Sequence, residues 1–325
     1  LVMNTKERII DFLESNRGNP VSGSELAECL GITRSAVWKA VNELKEIGYK
    51  IHSVQSRGYI LDDENSMLST ASIKKYIKTD SFNFIVEDKV SSTNTVIKEM
   101  AEKGEGEFTV LIANSQTAGR GRFGRTFFSP PESGIYMSIL LRPRFSAQSS
   151  LYLTTCAAVC AARAIENESE IPAKIKWVND IYLAERKVCG ILTEASVDFE
   201  SGSLNYAVIG IGINIFPPEG DFPPDIQKKA GSIFSSAFSG DVRSKIVADI
   251  LNNFIEFYPQ LEHKPFLEEY KRRSLLTGRE ILVLKADKSI PARADFIDDD
   301  FKIHVTYKDG STDALSSGDV SLMFN

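Results

Sequence analysis

The sequence predicts a helix-turn-helix block, then a larger core of helices and a sizeable sheet, then a terminal block of short strands. The core is α+β or α/β in class. Three observations carry this reading: helical apolar spacing in the first 44 residues, five apolar and partly alternating runs between 108 and 215, and only short strand-like runs after 276. A length of 325 residues suggests two domains, with one or three also open. With 42% hydrophobic and 25% charged residues the composition is that of an ordinary globular chain. The net charge of −6 offers no support for a broadly basic nucleic-acid coat. No apolar run approaches the roughly 20 residues that a spanning helix needs, so no membrane role is expected. LVMNTKERIIDFLESN is amphipathic and partly acidic, unlike a secretion signal. Four Cys are too few for a disulfide scaffold and fit a reducing cytoplasm.

Residues 1–65 make the first block. Ile9, Ile10 and Leu13 form a helical stripe that Gly18, Asn19 and Pro20 close. In GSELAECLGITRSAVWKAVNEL, residues 23–44, small Ala27 lets two helices approach and Gly31 permits a tight turn. Thr33 is placed to cap the second helix, whose buried stripe is Val37, Ala40, Val41 and Leu44. Arg34, Ser35, Trp38, Lys39 and Asn42 face outward and are the candidate DNA contacts. YKIHSV, the turn QSRG and YIL read as a hairpin wing with Arg57 at its tip. Residues 31–60 carry five Lys or Arg against two Glu, a net +3 that opposes the chain's overall sign. Acidic DDENS, 62–66, reads as a linker.

The second block runs from 66 to 275. Strands are expected at 108–113, 135–141, 174–178, 188–195 and 204–215, and helices at 93–103, 149–166 and 243–262. In the third block, 276–325, REILVLKA, ARADFI and FKIHVTY are separated by turns at Asp298–Asp300 and Asp309–Gly310, which suggests a small β-barrel.

Five segments of the middle block carry chemistry. In Gln116-Thr-Ala-Gly-Arg-Gly-Arg-Phe-Gly-Arg125, Gly119, Gly121 and Gly124 match GxGxxG. Pro130 and Pro131 forbid the helix that a dinucleotide turn must enter, and no GxxxxGK[ST] occurs. What remains is a glycine-rich loop with Arg120, Arg122 and Arg125, suited to binding an anion and expected to order around it. Ser91-Ser92-Thr93-Asn94 opens a helix; taken alone, N-capping is favoured over a cluster of small hydrogen-bonding groups beside an apolar pocket. Lys176-Trp-Val-Asn179-Asp180 and Lys187-Val-Cys-Gly-Ile-Leu192 read as adjacent strands joined by LAERK, each with a Lys in an apolar run. Asp180 is a candidate Mg²⁺ ligand. Gly210 and Gly212, before Asn214, suggest close approach of a ligand or backbone.

The winged helix, SSTN, QTAGRGR, KWVND, KVCGIL, GIGIN and the terminal block, in this order, resemble bacterial biotin protein ligases of the bifunctional kind that also represses the biotin operon. The resemblance spans essentially the whole chain. It implies an α+β fold: a winged helix-turn-helix, a mixed-sheet catalytic domain of the biotin/lipoate ligase type, and an SH3-like barrel. It implies formation of biotinyl-5′-AMP from biotin and MgATP, then transfer to a lysine of the biotin carboxyl carrier of acetyl-CoA carboxylase. Biotin would meet Ser92, Thr93, Asn94, Gln116, Arg120, Gly121, Arg122 and Lys187. ATP would meet Arg122, Arg125, Phe127, Lys176, Asn179 and Asn214. Arg122, Lys187 and Asp180 would be catalytic, with Asp180 toward the metal. A homodimer bound to biotinyl-AMP would hold the operator DNA.

Three positions depart from the family pattern: Val178 for a usual Pro, Phe127 where Trp commonly stacks on adenine, and Cys189 for a frequent Ala. Cys156 and Cys160 have helical metal-pair spacing, but His52, His263 and His304 lie far from them in sequence, so packing is expected. Lys98-Glu99-Met100 is not a carrier's own biotinylation signal. Retention of Arg122, Lys187 and Asp180 favours an enzyme over a ligand-sensing repressor without activity. The GRGR loop and winged helix favour biotin over lipoate.

Overall fold

The computed structural model describes residues 4–143, 145, 150–198, 202–236, 240–285, 288–316 and 319–322. The first helix, α1 (Thr5–Ser15), starts in a capping box between Asn4 and Glu7. α2 (Gly23–Leu30) is capped by Ser22 and ends on Gly31, whose φ of 65° is the left-handed turn expected there. α3 (Arg34–Glu46) begins as its sequence predicts: Thr33 Oγ1 accepts the Ala36 N–H at 3.2 Å. The buried faces of these helices meet over Ile9, Leu13, Leu26, Val37 and Val41. The antiparallel pair β1 (Ile51–Val54) and β2 (Gly58–Leu61) follows. The segment read as a linker is tied down, because buried Asn65 accepts the Lys50 N–H and Arg17 donates to its carbonyl.

The second block begins with α4 (Thr70–Lys74) and β3 (Asn83–Val90), neither of which the apolar pattern announces. Then come α5 (Thr93–Glu102), β4 (Thr109–Gln116), β5 (Gly134–Leu141) and α6 (Ser150–Ser169). The expected start of α6 at residue 149 lies outside the described residues. The expected strand 174–178 is corrected to a hairpin, β6 (Ala173–Lys176) and β7 (Asp180–Leu183), which turns through Trp177–Asn179. The run IYL is too short to register as a strand by itself, yet it pairs on both sides. Lys176 and Lys187 are therefore not on adjacent strands; β7 runs between them. β8 (Arg186–Val197), β9 (Leu204–Asn214), α7 (Val242–Phe257) and α8 (Leu267–Arg272) complete the block. The helix expected to reach 262 stops near Pro259 and continues as a 3₁₀ segment, Tyr258–His263.

The seven strands are ordered β3-β4-β5-β9-β8-β7-β6, and β3–β4 is the parallel pair. α5 covers one face over Ile97, Leu111 and Val208. α6 and α7 cover the other, where Cys156 and Cys160 are fully buried among Ile165, Ile246 and Phe254. Among the described residues no group of three His, Cys, Asp or Glu could hold a metal. Fully burying each large apolar side chain contributes about 1.5–3 kcal/mol, so these faces fix the sheet against its helices.

The terminal block is a five-stranded antiparallel sheet: β10 (Glu280–Lys285), β11 (Lys288–Ile297), β12 (Ile303–Tyr307), β13 (Thr312–Leu315) and β14 (Asp319–Leu322). Its order is β13-β12-β11-β10-β14, so the two four-residue outer strands pair on one side only and no closed barrel forms among the described residues. Phe301 docks this sheet on the core: its carbonyl accepts the Trp177 indole N–H at 2.7 Å and its ring meets Tyr270 edge-on.

Candidate active site

A cavity of about 650 Å³ opens over β4, β5, β7, β8 and β9, beside the start of α5 and the loop between β4 and β5. Ser92, Thr93, Asn94, Gln116, Arg120, Gly121, Arg122, Arg125, Phe127, Lys176, Asn179, Asp180, Lys187 and Asn214 all line it. These residues span 123 positions of sequence and arrive from six elements, the β4–β5 loop and the β6–β7 turn. The sequence reading of Ser92 as a cap is corrected: it occupies the N-cap of α5 but its side chain makes no capping hydrogen bond.

One end of the cavity is neutral and densely hydrogen-bonded. Gln116 Oε1 accepts the Thr93 N–H at 2.8 Å, while its Nε2 donates to Ser129 Oγ at 2.8 Å. Ser138 Oγ lies 2.8 Å from Thr93 Oγ1 and 2.6 Å from Asn94 Oδ1. Asn94 Nδ2 donates to Glu194 Oε2 at 2.9 Å and to the Leu192 carbonyl at 3.3 Å. The glycines of GIGIN make room for this end and the next. A Cβ on Gly210 would lie 2.0 Å from Asn94 Oδ1, and one on Gly212 would lie 2.6 Å from the Phe127 ring.

The other end is cationic. Lys187 Nζ donates to Asp180 Oδ1 at 2.6 Å, across a register shift where β7 meets β8. Such bulges re-aim side chains beside active sites. Arg122 donates to Asn179 Oδ1 at 3.0 Å and stacks on Phe123, its guanidinium 4.9 Å from the ring centroid. Asn179 is itself fixed, donating to the Ile191 carbonyl at 2.7 Å. Asn214 donates to the Gly231 carbonyl at 3.0 Å. The Arg-rich loop folds back on itself: Gly121 N–H donates to the Arg125 carbonyl and Phe127 N–H to Gly119. Gly119 has no room for a side chain, since a Cβ would lie 2.3 Å from the Phe127 carbonyl. Cys189 is fully buried, and burial pushes its thiol well up, so it stays a neutral packing group.

Several groups around the cavity escaped the sequence reading. Tyr136, Tyr182, Lys229 and Leu284 line it, and Ser138 and Glu194 stand behind it. Ser138 had a signal, a lone hydroxyl in the apolar run IYMSILL. Lys229 lies in a segment without periodicity, and Leu284 comes from the terminal sheet.

On the first block, Arg34, Ser35, Trp38 and Lys39 are exposed on α3 and Asn42 is half-buried. Trp38 is 61% exposed, well beyond what core packing would leave. Arg57 is exposed at the turn between β1 and β2. This surface is far along the chain from the cavity, but the two blocks are tied together. Buried Glu14 of α1 accepts from Lys75 Nζ at 2.6 Å, and Arg17 pairs with Asp241, just before α7, at 3.0 Å. No described helix is long and apolar enough to cross a membrane.

Comparison with known proteins places this geometry. A profile of the biotin/lipoate A/B protein ligase family matches residues 86–214, and a helix-turn-helix domain profile matches residues 5–60. The bifunctional ligase/repressor BirA of Bacillus subtilis is 36% identical over 253 residues, covering 76% of this chain and 77% of the relative. The protein of the same name from Escherichia coli is 26% identical over 93% of this chain and 92% of its own. Among solved structures, the biotin protein ligase from Aquifex aeolicus in complex with biotin and ATP superposes with a TM-score of 0.60 at 28% identity. It covers 75% of this chain and 99% of that one.

Proposed function

The chain belongs to the biotin/lipoate A/B protein ligase family, and from that membership we propose how its site works as a bifunctional biotin ligase and repressor. The protein activates biotin with ATP to biotinyl-5′-AMP and transfers biotin to a lysine of the biotin carboxyl carrier protein of acetyl-CoA carboxylase. It is also a biotin-responsive repressor of the biotin operon. The observation that carries the site assignment is one cavity with both a neutral, hydrogen-bonding end and a cationic end.

In the first step a biotin carboxylate oxygen attacks the α-phosphorus of ATP and pyrophosphate leaves. Two anions must approach, so fixed cations supply most of the catalysis, through positioning and electrostatics without a covalent enzyme intermediate. Ser92, Thr93, Asn94 and Gln116 hold the ureido head. Arg120, Gly121 and Arg122 fold over the bound ligand. Lys187 and Arg122 face the carboxylate and the α-phosphate. Phe127, packed over Gly212, offers a ring to adenine, and Arg125, Lys176, Asn179 and Asn214 line the nucleotide side. In the second step the neutral carrier lysine attacks the acyl carbon and AMP leaves. Mg²⁺ travelling with a nucleotide takes one or two carboxylates, and Asp180, bordering the cationic end, fits that need. The metal would neutralise phosphate charge there.

Residues 1–65, 66–275 and 276–325 act as the DNA-binding, catalytic and terminal domains. Arg34, Ser35, Trp38, Lys39 and Asn42 read one operator half-site, and Arg57 on the hairpin reaches the backbone as a wing. The terminal sheet, bulged between Ala294 and Phe296, corresponds to the SH3-like barrel. A two-fold homodimer, formed on biotinyl-AMP in the cytoplasm, matches a palindromic operator. The assay is transfer of labelled biotin to an isolated carrier domain, with lipoate as competitor. Label on the carrier, undiminished by lipoate, supports this function; label displaced by lipoate points to the lipoate branch.

A further inference from the structure

Glu194, on β8 outside the cavity wall, gathers three groups from two separate parts of the site. Its Oε2 accepts from Asn94 Nδ2 at 2.9 Å. Its Oε1 accepts from Lys98 Nζ at 3.0 Å and lies 3.3 Å from Arg120 NH1. Asn94 and Lys98 stand one turn apart on α5, whereas Arg120 belongs to the glycine-rich loop. An amide can face either way, and Glu194 together with the Leu192 carbonyl fixes which way Asn94 faces. With both Nδ2 hydrogens taken by Glu194 and the Leu192 carbonyl, Oδ1 is left pointing at Ser138. Asn94 fills the space that a Cβ on Gly210 would take.

The geometry points to Glu194 as a positioning residue for the biotin end of the site: it orients the Asn94 amide and tethers Arg120, without touching the reacting atoms. Burial works to raise its carboxyl, but hydrogen bonds from Asn94 and Lys98, with the charges of Lys98 and Arg120, hold it below the usual range. It is therefore ionised at neutral pH and serves as an acceptor only. The inference rests on the assignment of this end of the cavity to biotin. A purely structural role would lower stability and affect both substrates alike; a positioning role falls on biotin.

The test is biotin-dependent ATP–pyrophosphate exchange by the full chain, comparing wild type with Glu194→Gln and Glu194→Asp. Gln keeps the shape, but its amide lacks the charge and can present a donor to Asn94. Losing a charge-assisted hydrogen bond predicts a biotin KM raised about tenfold in E194Q, with ATP KM and kcat within about twofold. E194D, which keeps the charge on a shorter arm, should fall between the two. Equal biotin KM in all three, or parallel loss for biotin and ATP that tracks Tm, overturns the inference. Should E194Q not fold, E194D decides alone: a biotin KM within about twofold of wild type rejects the role. Absence of exchange in the wild type would instead reject the assignment of the site.

Discussion

Lys187 Nζ and Asp180 Oδ1 are 2.6 Å apart, so the cation proposed for the reacting phosphate and the carboxylate proposed for the metal are partners of each other. Each holds the other's orientation across the β7–β8 register shift. Removing Lys187 strips a fixed cation from the transition state, and Lys187→Met should lower kcat for ATP–pyrophosphate exchange about 10²–10³-fold. Asp180→Asn should raise the Mg²⁺ concentration needed for half-maximal exchange. If the Mg²⁺ dependence of D180N matches wild type, Asp180 only anchors Lys187.

Two glycines two residues apart on β9 should separate the substrates. Gly210→Ala drives a methyl into Asn94 Oδ1, and Gly212→Ala drives one into the Phe127 ring. Each overpacking should cost about 1–3 kcal/mol of stability. G210A should weaken biotin binding chiefly, and G212A should raise the ATP KM chiefly. Titration calorimetry with biotin and exchange kinetics at varied ATP read the two effects. Loss of both substrates in both variants would contradict the two-ended cavity.

The Arg-rich loop is the proposed bridge between ligand and operator. Arg122 reaches Asn179 across the cavity, so Arg122→Gly should speed release of biotinyl-AMP by at least about tenfold and weaken operator binding in parallel. Electrophoretic mobility shifts under saturating biotin and ATP check the coupling, and unchanged operator affinity would break it. Ordering a backbone costs roughly 1–2 kcal/mol per residue, so ligand should also protect Arg120–Arg125 from trypsin. Equal cleavage with and without biotin and ATP would refute closure of the loop.

Acid stability should depend on Glu269, away from the site. Burial pushes this carboxyl up, but hydrogen bonds and charge from Arg163 and Arg273 prevail and hold it below its usual range. A depressed carboxylate stabilises the fold fully above its unfolded value, about 4.3, and that contribution disappears as pH falls through the folded value. Glu269→Gln should lower Tm at pH 7 and flatten the fall of Tm between pH 5 and 3. A Tm–pH curve parallel to wild type would show that the pair contributes nothing.

Local signals were the most legible. Thr33 as a cap, Gly31 as a turn and the strands β4, β5, β8 and β9 follow from residue type and spacing, whereas the roles of the cavity residues come from the family resemblance. Non-local partnerships were not legible. KWVND reads as one strand because the hairpin between β6 and β7 depends on pairing of IYL with both neighbours. Edge strand β3, only partly buried, has just the short apolar run Phe84–Val86, too little to mark a strand by itself. Glu194 lies 100 residues from Asn94, and nothing in VCGILTEA marks it as a partner of SSTN. The overall charge of −6 misdirects as an average, since the basic segments 31–60 and 119–125 run against it.

Biotin-dependent exchange of pyrophosphate into ATP measures adenylation at this site by itself. It isolates the adenylation step from carrier and operator alike. Labelled pyrophosphate should enter ATP only when biotin and Mg²⁺ are both present, and the exchange should collapse in Lys187→Met. Tight biotin binding with no exchange would rule out adenylation and leave a sensor built on a ligase scaffold.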